Sequence, residues 1–249
     1  MAPRGARGPH LRGPAGRDAG DLTGVVLFDL DGVLADSRLA ITSCMNHALA
    51  AAGREPVPPA ELYPLIGPSL SSGFSSLLGV DPDDPLVASC IASYRSVYGE
   101  VSLRDTPTYP GVPEAVAAIA AGDGGRGDGR GDGGAPSKRR RLAVATSKPR
   151  AFAEPLIAAL GLRDHFEAVF APELDLHVES KTTTVGRALE ALDASSGTMV
   201  GDRHVDMEAA RTHGLRAVGV NWGFGTPEEL LTAGADILVD TPADLPAAV

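Results

Sequence analysis

VVLFDLDGVLADS, residues 25–37, decides how the rest of the chain is interpreted. It begins as an apolar run of the kind found in strands buried on both faces, and it ends in three carboxylates, Asp29, Asp31 and Asp36. Gly32 supplies a turn directly after the second of them, so Asp29 and Asp31 can reach one small volume. Two ionised carboxylates at such a short distance repel each other, which is energetically costly without a nearby cation. The pair therefore predicts either a nucleophile with a general acid and base, or two ligands of a hard divalent ion.

Short apolar runs also recur further along the chain, between stretches with helical patterns. They are LAVAT at 142, AVFA at 168, TMVGD at 198, AVGV at 217 and DILVD at 236. Strands that alternate with helices and are apolar on both faces predict a parallel sheet covered on two sides. The expected fold class is therefore α/β, a Rossmann-like doubly wound parallel sheet. Ligands of such sheets bind beyond the carboxyl ends of the strands, where we expect Asp29, Thr146 and Asp202.

The distance between the first two predicted strands indicates an insertion. More than a hundred residues separate them, far more than one crossover helix needs. Residues 38–104 show helical patterns without a strand pattern, which predicts an inserted helical domain. The core would then consist of residues 22–37 and 105–249. Residues 1–21 are expected to be a disordered tail, and residues 122–141, which are rich in Gly and Asp, a flexible loop.

Composition narrows the classes of partner. A formal charge of −10 argues against non-specific binding to nucleic acid, because the folded surface would repel a polyanion. No run approaches the roughly 18 apolar residues of a membrane helix, and the start of the chain lacks the apolar stretch of a signal peptide. The two cysteines, Cys44 and Cys90, are too few for a disulfide framework. We therefore expect a cytoplasmic protein with neither a nucleic-acid nor a membrane partner.

Further polar residues fall where a phosphate site could form. Asp202 closes the fourth predicted strand and Asp206 begins the next helix. Mg²⁺ usually takes one or two protein carboxylates together with water and phosphate oxygens, which Asp29 and Asp202 could provide. An acidic site would repel phosphate unless cations and donors balance it. The candidates are Lys181 and the hydroxyl of Thr146 with the backbone N–H groups beside it.

Four segments in order resemble the motifs of the haloacid dehalogenase superfamily, in its phosphatase branch. They are FDLDGVLADS, VATSKP, ESKTTTVGRAL and MVGDRHVDMEAARTHGLRAVGVNWGFGTPEEL, and the resemblance covers nearly everything from residue 24 to 245. Pieces such as IGPSL and YPGVPEA are similar to phosphoglycolate phosphatase-like and 5′-nucleotidase-like members with a helical C1 cap. The resemblance implies Mg²⁺-dependent hydrolysis of a small phosphorylated metabolite through a phosphoaspartate, with the cap choosing the substrate. No oligomeric state is implied.

The resemblance also implies roles for individual residues. Asp29 would be the nucleophile that becomes the phosphoaspartate. Asp31 would protonate the leaving group and then activate water. The transferring phosphoryl group would be bound by Thr146, Ser147 and Lys181.

The metal ligands implied by the resemblance are Asp29, the backbone carbonyl of Asp31, and Asp202. Asp206 would support the lysine or the metal shell. Ser69, in the loop IGPSL, would be a cap residue that contacts the substrate.

One departure from the family pattern concerns the lysine. Many relatives have Lys-Pro in the third motif, whereas here Lys181 is followed by Thr182. Lys148 is the rival in the core, but the order of the motifs favours Lys181. Two other readings keep the fold: a β-phosphoglucomutase-like phosphoryl transferase, and a binding or regulatory protein without catalysis.

Overall fold

The computed structural model describes most of the chain. The predicted tail at residues 1–21 lies outside the described residues, and so does the predicted loop at 122–141 except for its ends. The described residues are 24–67, 69–122, 140–174 and 179–249.

Six strands form one parallel sheet in the order β3-β2-β1-β4-β5-β6. They are β1 (Val25–Phe28), β2 (Leu142–Ala145), β3 (Ala168–Phe170), β4 (Gly197–Gly201), β5 (Arg216–Val220) and β6 (Ile237–Val239). The chain winds to one side from β1 to β3 and to the other from β4 to β6. This arrangement confirms the predicted doubly wound α/β sheet. The order reverses beside β1 and β4, so a ligand is expected at their carboxyl ends.

The first four of the helices between β1 and β2 form what we call the helical insertion. They are α1 (Arg38–Ala51), α2 (Pro59–Leu62), α3 (Leu70–Leu78) and α4 (Pro85–Asp105). No strand occurs in the part of this insertion that the structure describes, in agreement with the helical pattern of the sequence. Met45, Phe74 and Tyr94 belong to a hydrophobic cluster of its own. The predicted limits of the insertion as a separate domain, 38–104, stay a prediction.

The remaining helices cover the two faces of the sheet. They are α5 (Val112–Ala121), α6 (Arg150–Ala159), α7 (Lys181–Ala191), α8 (His204–Thr212), α9 (Pro227–Ala233) and α10 (Leu245–Ala248). Successive strand residues point to opposite faces. Val26 and Phe28 accordingly belong to one core cluster, with residues of α5, α6 and α10, and Val25 and Leu27 to the other, with residues of α7, α8 and α9. Burying a side chain such as Phe28 stabilises the fold by about 1.5–3 kcal/mol.

The insertion leaves and rejoins the core at neighbouring points. Ala35 forms an antiparallel bridge with Thr108, and the backbone N–H of Asp36 donates to the carbonyl of Pro107 over 2.9 Å. The two connections therefore run side by side, just beyond the loop that carries Asp29. Among the described helices, including the 21-residue α4, none has the length and apolar character needed to cross a bilayer.

Candidate active site

The loop after β1 brings its carboxylates to the edge of the sheet. The backbone N–H of Asp29 donates to the carbonyl of Val200 over 2.9 Å, which continues the pairing of β1 with β4. Gly32 has a φ of +85°, and a Cβ at this position would clash with the carboxylate of Asp202. Glycine is therefore required twice, for the left-handed backbone and for the close approach to Asp202. Asp36 is directed elsewhere and pairs with Arg38 over 2.6 Å.

Three buried carboxylates meet at this edge. Oxygens of Asp29, Asp202 and Asp206 lie within 4.8 Å of one another. Asp202 Oδ2 accepts the backbone N–H of Phe224 over 2.7 Å, whereas its buried Oδ1 has no hydrogen-bond partner among the described residues. Burial raises the pKa of Asp202 well above its usual range, and the nearby carboxylates of Asp206 and Asp29 raise it further. An unpaired buried carboxylate oxygen is costly, and a hard divalent cation would satisfy it. The donor set therefore fits a metal ion.

Lys181 lies against two of these carboxylates. It is the first residue of α7, whose N-cap Ser180 accepts the backbone N–H of Thr183. Its side chain is only 2% exposed, and Nζ lies 2.7 Å from Asp29 Oδ1 and 3.0 Å from Asp206 Oδ1. Nζ also donates to the carbonyl of Ala145 over 3.1 Å.

Lys181 and the two carboxylates that it contacts stabilise one another's charges. Burial lowers the pKa of Lys181, but the carboxylates of Asp206 and Asp29 outweigh it and raise that pKa above its ordinary value. Burial raises the pKa of Asp206 to about 6, against the lowering effect of the Lys181 ammonium. Lys181 is therefore a fixed positive charge beside Asp29.

A second lysine contacts the other carboxylate of the first motif. Lys148 Nζ lies 2.7 Å from Asp31 Oδ2, and the second oxygen of Asp31 has no hydrogen-bond partner in the described part of the chain. Lys148 also donates a hydrogen bond to the hydroxyl of Tyr98, which lies on α4 of the helical insertion. The side chain of Asp31 is thus not part of the three-carboxylate group. Ligation of a metal by its backbone carbonyl stays a prediction.

The loop after β2 places Thr146 and Ser147 next to the first-motif loop, because β2 neighbours β1. Thr146 is buried, its backbone N–H donates to the carbonyl of Phe170, and its Oγ1 accepts the backbone N–H of Lys148 over 3.2 Å. Ser147 is exposed. Phosphate binding by these two residues stays a prediction.

Ser69 has a structural role in this structure. It is the N-cap of α3, and its hydroxyl accepts the backbone N–H of Ser72 over 3.1 Å. Contact of Ser69 with a substrate stays a prediction.

Two contacts between the core and the insertion could not be predicted from the sequence. One is the Lys148 bond to Tyr98. In the other, Arg203 donates from Nη1 to the carbonyl of Ile66 and pairs through Nε with Glu229 over 3.0 Å. The Arg203 and Ile66 positions are 137 residues apart, so no local pattern could have joined them.

Glu229 holds the start of α8. Its Oε1 accepts the backbone N–H of His204 over 2.9 Å and contacts His204 Nδ1 over 2.8 Å. Burial alone would raise the pKa of Glu229, but the hydrogen bonds from His204 and Arg203 lower it to about 2. Glu229 is therefore an acceptor that keeps its charge down to strongly acidic pH.

Comparisons with known proteins agree with this geometry. A family model described as haloacid dehalogenase-like hydrolase matches residues 23–214. A 5′-nucleotidase from Pseudomonas aeruginosa is 33% identical over 207 residues, which are 82% of this chain and 86% of that protein. A plasmid-borne phosphoglycolate phosphatase from Cupriavidus necator is 31% identical over 226 residues, or 89% and 91% of the two chains.

A solved structure of a related protein shows the same similarity at the level of the fold. The crystal structure of a predicted phosphatase from Clostridium acetobutylicum superposes with a TM-score of 0.78 at 27% identity, and covers 92% of this chain and 98% of that one. The chain therefore belongs to the haloacid dehalogenase-like hydrolase family, which confirms the resemblance found in the sequence. Within that family its relatives identify it as a phosphatase, an enzyme that hydrolyses phosphomonoesters.

Proposed function

We propose that this enzyme is a Mg²⁺-dependent phosphatase that hydrolyses a small phosphorylated metabolite through a phosphoaspartate on Asp29. The observation that carries the proposal is the contact of one buried ammonium, Lys181, with the carboxylate of Asp29 at 2.7 Å. A carboxylate is a weak nucleophile toward a phosphate dianion, because the two negative charges repel each other. A fixed cation beside it reduces this repulsion and orients the attacking oxygen.

The reaction would proceed in two displacements. In the first, a carboxylate oxygen of Asp29 bonds to phosphorus while the bond to the leaving oxygen breaks, and Asp31 gives that oxygen a proton. In the second, Asp31 takes a proton from water, whose oxygen bonds to phosphorus as the bond to Asp29 breaks. Inorganic phosphate leaves, and both carboxylates return to their starting forms. Lys181, Thr146 and Ser147 would stabilise the charge on the transferring group.

The metal would be held by Asp29, Asp202 and the carbonyl of Asp31, while Asp206 holds Lys181 in place. The three carboxylates within 4.8 Å and the unpartnered Oδ1 of Asp202 support this assignment. Bound Mg²⁺ would supply a positive charge that offsets the phosphate charge and allows two carboxylates to lie together.

The substrate class follows from the relatives and from the helical insertion. The relatives' names point to phosphoglycolate and nucleoside 5′-monophosphates. The insertion would act as a cap over the site, which its contacts from Tyr98 and Ile66 to core residues support. Differences in the cap would then select among phosphorylated metabolites.

The test is phosphate release from a panel of phosphoglycolate, nucleoside monophosphates and sugar phosphates, with Mg²⁺ and with EDTA. We expect metal-dependent release from one compound far above the others. Asp29→Asn should abolish release while the protein stays folded, and Asp36→Asn is the matched control, since Asp36 pairs with Arg38 instead. Release by Asp29→Asn at the wild-type rate would refute the nucleophile. Turnover that requires a bisphosphate activator and releases no phosphate would favour the mutase-like alternative.

A further inference from the structure

Lys148 connects three separate segments at the site. Its Nζ lies 2.7 Å from Asp31 Oδ2 in the loop after β1, and Lys148 itself lies in the loop after β2. The same Nζ donates to the Tyr98 hydroxyl and lies 4.7 Å from the centre of the Tyr98 ring, on α4 of the helical insertion. The Lys148 side chain is only 4% exposed, so solvent does not compete strongly for its ammonium.

Tyr98 is itself held firmly. Its ring stacks on Tyr94 with centroids 4.9 Å apart, and it packs against Phe152 of α6 in a T-shaped arrangement with centroids 5.1 Å apart. Tyr98 is 2% exposed. Aromatic pairs of this geometry have preferred orientations, so the Tyr98 hydroxyl is fixed with respect to both the insertion and α6. The position of the Lys148 ammonium therefore depends on how the insertion sits on the core.

The two lysines of the site serve different carboxylates. Lys181 contacts Asp29 and Asp206, and Lys148 contacts Asp31. Neither can replace the other, because each is buried against its own partners. Lys148 holds one oxygen of Asp31 and leaves the second without a hydrogen-bond partner among the described residues. A carboxylate fixed through one oxygen has the other in a defined direction, which proton transfer to a leaving group requires.

We propose that Lys148 is a positioning residue that orients Asp31 for proton transfer, and that Tyr98 makes this orientation depend on the position of the helical insertion relative to the core. The inference rests on the proposed function, because it assigns Asp31 the proton-transfer role. It explains why a second lysine is buried in the site.

Leaving groups of different basicity test the proposal. An alkoxide must be protonated as it leaves, whereas 4-nitrophenolate departs without a proton. Lys148→Met should therefore lower kcat/KM by about 10²-fold or more for the best alkyl phosphate of the panel, and far less for 4-nitrophenyl phosphate. kcat/KM reports the steps up to the first irreversible one, which includes departure of the leaving group. KM for 4-nitrophenyl phosphate should not rise, because the proposal gives Lys148 no contact with phosphate.

Two further variants separate positioning from folding. Tyr98→Phe removes a single oxygen, so it should fold even where Lys148→Met does not, and it should show the same dependence on leaving group with a smaller loss. Lys148→Arg keeps the charge and should restore part of the alkyl phosphate rate.

Equal losses on both substrates, a raised KM on both, or no loss on either would overturn the inference while leaving the proposed function intact. Absence of Asp29-dependent phosphate release in the wild type would refute both together.

Discussion

Replacing Lys181 by methionine tests the electrostatics at the centre of the site. The variant would leave the buried carboxylates of Asp29 and Asp206 without their shared cation. Removing one partner of a buried ion pair costs about 3–5 kcal/mol. In a chain of this size each kcal/mol moves the melting temperature by about 2–4 °C, so we expect a fall of roughly 6–20 °C in EDTA. Turnover should fall by about 10²–10³-fold, the usual cost of losing one fixed charge-stabilising group.

The assay is thermal unfolding followed by circular dichroism, in EDTA and then in Mg²⁺. Arg150→Met is the matched control, because Arg150 also contacts two carboxylates, Glu154 at 3.3 Å and Glu173 at 3.0 Å, but does so near the surface. Exposed ion pairs contribute about 0–1 kcal/mol, so the control should melt within a few degrees of the wild type. Mg²⁺ should raise the melting temperature of Lys181→Met, because it binds the folded state. A variant that melts like the wild type in EDTA would refute the reasoning.

Three further substitutions test other parts of the molecule. Gly32→Ala should raise the Mg²⁺ concentration needed for half-maximal activity, because the added Cβ would displace Asp202. Gly53→Ala is the control, since Gly53 also has a positive φ, +69°, but has open space around it. Equal effects of the two substitutions would contradict the steric argument. Glu229 has a pKa lowered to about 2, so its stabilising contacts are fully present above its ordinary pKa of 4.5 and are lost as the pH falls toward 2. In urea titrations, the unfolding free energy of Glu229→Gln should therefore decrease less than that of the wild type as the pH falls over that range. Parallel pH dependences of the variant and the wild type would contradict this prediction. Phe74→Ala, in the core of the insertion, should lower the unfolding free energy by about 3–5 kcal/mol in the same titrations. A decrease as small as that caused by a surface substitution would show that the Phe74 side chain is not buried.

The sheet was predictable because each strand shows its environment in its own residues. A strand buried on both faces is apolar throughout, and all four residues of β1 are buried. The boundaries were less predictable. Apolar Leu30 still follows Asp29, yet β1 ends at Phe28, because the chain already turns toward Gly32. That turn brings Gly32 close to Asp202. Asp202 is distant in the sequence, so the residues around Gly32 do not reveal this contact.

The candidate site was predictable to the extent that its residues follow strand ends. Asp29 and Asp202 do so, and the structure brings them together with Lys181. From the sequence, Lys148 was an alternative to Lys181 as the lysine of the third motif. In the structure, the two lysines contact different carboxylates of the first motif. The partner Tyr98 could not be found in advance, because a tyrosine one turn from Tyr94 on a helix has the pattern of an ordinary core residue.

The side-by-side connections of the helical insertion have a consequence for engineering. Because Ala35 pairs with Thr108 and Asp36 with Pro107, the backbone leaves the core for the insertion and returns from it at a single place. A helical unit from a relative that keeps the contacts of Tyr98 with Lys148 and of Ile66 with Arg203 could be grafted there without altering the order or register of the strands. The choice of compound could thus be changed while the chemistry of the sheet edge is kept.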